Sequence, residues 1–138
     1  MTCGSESVHN KNIIVRRLRL DGVWQLIHLK LRPDTPQLYE DILIEDVRGS
    51  LTGSFININP WTQFFDLKGR TDKPMSKVQN IQIKNCHCSC GYFFNVSKNE
   101  EQYHLSNFTL NDISVCAKIK DNDYTAVENL IMENVTVE

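Results

Sequence analysis

Three basic side chains alternate along one short stretch, His28-Leu29-Lys30-Leu31-Arg32. If Leu29 and Leu31 face a core, as strand spacing requires, then His28, Lys30 and Arg32 share the opposite face. An ammonium at Lys30 would pair with a carboxylate on a ligand. A histidine two residues away would add one hydrogen bond, without the two-pronged grip an arginine gives a carboxylate. Arg16, Arg17 and Arg19 make the first part of the chain basic as well. Residue types alone leave a second reading open, in which these are solvated surface charges.

What positions such a strand is a phrase written five times. Asn12–Leu20 (NIIVRRLRL) returns as Asp41–Gly49 (DILIEDVRG), Asn80–Cys88 (NIQIKNCHC), Asn107–Val115 (NFTLNDISV) and Asn129–Val137 (NLIMENVTV). Each copy holds two period-2 apolar pairs that are out of phase, as Ile81/Ile83 and Cys86/Cys88 are. A strand must bend between the pairs to keep both facing inward. The residue at that bend is Arg17, Asp46, Asn85, Asp112 or Asn134, and Asn and Asp tolerate the left-handed backbone of a tight corner.

Successive copies begin 29, 39, 27 and 22 positions apart, which is the range of a solenoid. Leucine-rich repeats are the rival at this period, but their Leu-x-Leu-x-x-Asn grammar and convex helix are missing. Each of the first three phrases is followed instead by a second β-rich stretch: 26–31, 55–58 and 92–96. The expected fold is all-β, a right-handed parallel β-helix of about five turns. It would form one partial domain over residues 1–138, with a loop insertion at about 60–77 and N-terminal turns missing. The row Ile13, Val15, Leu18 and Leu20 would then lack a covering turn, and its unpaired edge predicts self-association through that end.

A length of 138 residues fits one domain, and 41% hydrophobic content suffices for a core. A net charge of −2 offers nothing to nucleic acid. No segment reads as a membrane span, and Met1–Glu6 lacks the basic start and apolar run of a signal peptide. Cys86, Cys88 and Cys90 invite a metal or redox reading. The phrase explains them more simply, since Cys86 and Cys88 fill inward apolar slots and cysteine packs as a small hydrophobe. His9, His87 and His104 show no metal spacing and read as surface residues. No cofactor is expected. Asn95, Asn107 and Asn134 head glycosylation sequons, but two of the three occupy the phrase's own Asn slots, so the fold accounts for them better. Trp24, Trp61, Phe64 and Phe65 could stack on sugar rings; packing of the insertion onto the body is the simpler expectation.

Two stretches carry a family resemblance. Asp21–Gln37 and Asn59–Arg70 resemble the C-terminal turns of glycoside hydrolase family 28, the polygalacturonase and rhamnogalacturonan hydrolase family of pectin-degrading β-helices. The likeness covers essentially the whole chain but only the last part of the family's domain. The family's Arg-Ile-Lys, which binds the substrate carboxylate, falls on His28-Leu29-Lys30, with the lysine kept and the arginine replaced. The tail of its Ser-Ile-Gly-Ser stretch falls on Cys3-Gly4-Ser5. Its Asn-Thr-Asp and Asp-Asp stretches, which supply the catalytic carboxylates, have no counterpart, and Asp121-Asn122-Asp123 sits too late in the chain to be one.

The resemblance implies inverting hydrolysis in the full family. One carboxylic acid protonates the leaving oxygen while a carboxylate activates water across the ring. For this chain it implies an acidic, pectin-type polysaccharide or oligosaccharide as partner, Lys30, His28 and Arg32 as binding residues, and no catalytic residue. Full-length members would be periplasmic or secreted. A non-catalytic β-solenoid that binds acidic glycans, or a protein, is the alternative.

Overall fold

In the computed structural model the chain is a parallel β-helix. The structure describes residues 1–63, 66–120 and 122–138; Phe64, Phe65 and Asp121 lie outside the described residues. Eight strands follow in order: β1 (Thr2–Cys3), β2 (His9–Val23), β3 (Ile27–Leu31), β4 (Leu38–Leu51), β5 (Ser54–Pro60), β6 (Ser76–Val96), β7 (Tyr103–Ile119) and β8 (Glu128–Val137). The described residues include no α-helix, only a 3-10 turn at Tyr124–Ala126. All neighbouring strands pair in parallel. The right hand is the one expected of parallel crossovers.

The strands form two stacks. One runs β2-β4-β6-β7-β8 and carries the five phrases in register: Ile13 lies beside Ile42, Ile42 beside Ile81, Ile81 beside Phe108, and Phe108 beside Leu130. The other runs β1-β3-β5 and ends on the last residues of β6. The chain leaves β5 after Pro60 and rejoins the coil at Ser76, where β6 begins.

Each phrase turns two corners rather than one. The bend residues Arg17, Asp46, Asn85, Asp112 and Asn134 have φ of 48° to 59°. So do the residues that open the phrase, Asn12, Asp41, Asn80, Asn107 and Asn129, at 56° to 58°. Asn and Asp serve a second purpose there, because their side chains bond along the column. Asn80 Nδ2 donates to Asp41 Oδ1 at 2.9 Å, Asn85 to Asp46 at 2.6 Å, Asn129 to Asn107 at 3.2 Å and Asn134 to Asp112 at 3.0 Å. Sequon residues Asn107 and Asn134 are therefore members of these ladders.

The core is the stack of inward rows, with Ile42, Ile44, Val47, Ile81, Ile83, Cys86, Phe108, Leu110 and Ile113 all at most 1% exposed. Phe55 and Phe93 stack within it, ring centres 5.4 Å apart. Cys3, Cys86, Cys88 and Cys90 are buried as small apolar groups. Burial pushes the Cys86 and Cys88 thiols up to about 12 and Cys90 to about 11. The first row, Ile13, Val15, Leu18 and Leu20, is only half-buried, as is the last, Leu130, Val135 and Val137.

Candidate binding cleft

His28 and Lys30 project from β3, as the alternation requires: Ile27, Leu29 and Leu31 are buried and the two residues between them are half-exposed. The strand is held from inside. The Tyr39 hydroxyl, inside the coil, donates to the Lys30 carbonyl at 3.3 Å, and Gln102 Nε2 donates to the Leu31 carbonyl at 2.7 Å. Parallel pairing sets Thr2, His28, Asn57 and Asn95 in one outward column. Lys30 and Asn59 sit side by side in the next.

Two clefts of about 340 and 390 Å³ open on this face and share Trp24, Gln25, His28 and Trp61. The first continues to Thr2 and Lys30, the second to Asn57, Asn59, Tyr92 and Asn95. Adjacent strands lie about 4.8 Å apart, so the joint groove crosses several turns along the coil axis.

Aromatic rings bracket the two basic groups. Lys30 Nζ lies 4.4 Å from the Trp61 ring centre, within cation–π range. The His28 ring meets Trp24 and Trp61 edge-on, each 6.3 Å away. Burial, and then the Lys30 charge, holds the His28 imidazole below its usual pKa, so it is neutral near pH 7. Trp24 differs from the packing expected of it. It is 68% exposed and lies over Gly53, where a Cβ would come within 2.5 Å of its ring. Trp61 Nε1 is buried without a hydrogen-bond partner among the described residues. Phe64 and Phe65, weighed with them as sugar platforms, lie outside the described residues.

The floor of the groove is amide. Asn95 Nδ2 donates to Asn57 Oδ1 at 2.6 Å and Asn59 Nδ2 to the same oxygen at 3.2 Å, while the Ser97 hydroxyl donates to Asn59 Oδ1. Sequence reasoning missed these residues. The available signal was the alignment of Asn57-x-Asn59 and Asn95-x-Ser97 with His28-x-Lys30 in the second β-rich stretches.

Arg32 stands apart from the cleft. Its Nε and one terminal nitrogen each donate to Asp34 at 2.7 Å, and the other terminal nitrogen donates to Glu6 at 3.3 Å. That fork closes the loop after β3, and its hydrogen bonds hold the Asp34 carboxyl below the usual range. Arg70 binds Asp72 in the same two-pronged way and lowers its pKa likewise. Both carboxylates stay ionised and are poor proton donors near neutrality. The described lining of the groove contains no Asp or Glu.

Elsewhere His9 bonds Glu40 at 3.0 Å, His104 bonds Glu128 at 2.9 Å, and His87 is exposed. Among the described residues no group of three or more His, Cys, Asp or Glu is placed to hold a metal ion. The two stretches that carry the family resemblance meet where Lys30 lies beside Asn59 and Leu31 beside Pro60, and Cys3 of the Cys3-Gly4-Ser5 stretch lies beside Leu29. In comparisons with known proteins, no family model, no curated protein and no solved structure matches the chain.

Proposed function

We propose that this chain is the sugar-binding part of a pectin-degrading β-helix of the family 28 type, and that it binds an acidic oligosaccharide in the groove of His28, Lys30, Trp24 and Trp61. One observation carries the reading: the Lys30 ammonium has no carboxylate partner among the described residues and rests on an indole ring, in a groove floored by amides. A uronate offers the matching chemistry. Its carboxylate takes the ammonium, its C–H face takes the indole, and its hydroxyls take amide and imidazole groups.

Hydrolysis would need a proton donor and a water-activating carboxylate on either side of the bond. The described lining of the groove supplies neither, which favours a second reading in which this chain binds glycan without cleaving it. Binding and cleavage separate experimentally. Oligogalacturonate should quench or shift the tryptophan fluorescence saturably, whereas its fully methyl-esterified form, with the charge removed, should bind at least tenfold more weakly. Equal binding of both forms would refute the carboxylate contact. Reducing ends released in proportion to pure protein would refute the non-cleaving reading and leave the carboxylate contact intact.

A further inference from the structure

A second basic cleft lies at a corner of the coil, on residues that the sugar groove does not use. It encloses about 380 Å³ and is lined by Arg17, Arg19, Asp46, Arg48 and Asn85.

Two features of this corner run against the rest of the fold. Arg17 adopts φ 59° in the column that the other turns fill with Asn or Asp, and its long side chain gains nothing from that left-handed backbone. Arg19 lies directly beside Arg48 in the parallel ladder, and Arg48 beside His87. Like charges set opposite one another on adjacent strands repel. The neighbouring outward column shows how the fold ordinarily avoids this. There Arg16, Glu45 and Lys84 alternate in sign, and Arg16 Nε meets Glu45 at 3.2 Å.

Arg48 is preorganised. One terminal nitrogen donates to the carbonyls of Val47 and Asn85 at 2.8 and 2.7 Å, the other to Asn85 Oδ1 at 2.8 Å. Asp46, the only carboxylate in the lining among the described residues, already accepts from Asn85 Nδ2 at 2.6 Å. Three guanidinium groups against one carboxylate leave two uncompensated positive charges on the cleft.

We propose that this cleft is an oxyanion site for a divalent tetrahedral group, a phosphate or sulfate, free or as a monoester. Arg17 and Arg19 supply planar forks that suit such oxygens, and Arg48 supplies a fixed positive field behind them. A dianion balances the two excess charges, whereas a single carboxylate would balance one.

The test is a titration of the full chain with inorganic phosphate, inorganic sulfate and a sugar phosphate monoester. Sodium chloride at matched ionic strength serves as control, and the arginine Nε–Hε signals are followed by NMR. Saturable shifts at Arg17 and Arg19 are expected with the dianions and not with chloride. In Arg17→Asn/Arg19→Gln, which restores the corner residue of the sister turns, dianion affinity should fall at least tenfold. The same variant should unfold at an equal or higher temperature than wild type in low salt without phosphate. The wild-type unfolding temperature should rise with phosphate while the variant's does not.

Binding of the monoester as tightly as the free ion assigns the site to a substituted ligand; its exclusion assigns the site to the free ion. Shifts that chloride reproduces, or unchanged affinity in the double variant, would overturn the proposal. Should the double variant not fold, Arg19→Gln alone decides, since Arg19 is exposed. A threefold or greater loss of affinity supports the site, and an unchanged value overturns it. Lys30→Ala should leave this titration unaltered, which keeps the site separate from the sugar groove.

Discussion

The Lys30 ammonium lies 4.4 Å from the centre of the Trp61 indole ring, so β3 and the loop that leaves β5 meet over one charge. The contact fixes a flexible side chain above a flat apolar surface. It also leaves the ammonium's remaining donors free for a ligand.

The opposite wall of the groove depends on a residue without a side chain. A Cβ on Gly53 would lie 2.5 Å from the Trp24 ring and 2.6 Å from the Trp24 carbonyl oxygen. The second clash is with backbone and cannot be relieved by a rotamer change. Gly53→Ala should therefore displace the 22–26 turn, cost about 1–3 kcal/mol of stability, and weaken oligogalacturonate binding severalfold. Chemical denaturation and a binding titration on the same sample check both effects.

Acid should strengthen the same site before it weakens the fold. His28 sits below its usual pKa because burial and Lys30 disfavour the imidazolium. Between that lowered value and the ordinary value near 6.5 the unfolded chain binds more protons at this residue. Its contribution to stability is thus present above pH 6.5 and falls as pH drops toward the lowered value. A bound uronate favours the imidazolium, so ligand binding should take up a proton in this window. Affinity should rise as pH falls from 7 toward 5 and flatten in His28→Gln. Calorimetry in two buffers of different ionisation enthalpy reads the proton uptake directly.

The corner columns make a stability prediction of their own. Asn85 combines a left-handed backbone, a ladder bond to Asp46 and an acceptor for Arg48. Asn85→Ala removes both side-chain bonds and keeps the backbone demand, so a loss of about 2 kcal/mol is expected. Asn85→Gly relieves the backbone and should cost less. Equal losses in the two variants would show that φ contributes nothing there.

Thiol chemistry tests the burial of the cysteine run. Cys116 is exposed, while Cys3, Cys86, Cys88 and Cys90 are buried, and Cys86, Cys88 and Cys90 are pushed well above the range in which a thiolate forms at neutral pH. Native protein should react quickly at one thiol of five, identified as Cys116 by mass spectrometry, and at all five only after unfolding.

Much of this architecture was legible in the phrase Asn/Asp-apolar-x-apolar. Period-2 pairs such as Ile81/Ile83 and Cys86/Cys88 encode strands buried on one face, and the phase slip between them encodes the bend. The left-handed role of the opening residues, Asn12 and its counterparts, was less evident, because an Asn before a strand fits an ordinary turn equally well. His28 and Lys30 were legible as outward residues from Leu29 and Leu31. The commitment of Arg32 to Asp34 was not, since a pair two residues apart depends on how the loop folds. Nor was the groove itself. Asn57 and Asn95 lie far from His28 in sequence, and only the register of β3 on β5 and of β5 on β6 brings the three into one column.

The central claim is that Lys30 holds a ligand carboxylate in this groove. Isothermal titration of trigalacturonate into wild type and Lys30→Ala, at low salt and at about 0.5 M salt, tests it most directly. Wild type should bind in low salt. Lys30→Ala should lose about tenfold in affinity, and added salt should weaken wild type far more than the variant by screening the one contact that the variant lacks. Equal affinities of the two proteins, with equal salt dependence, would contradict the account.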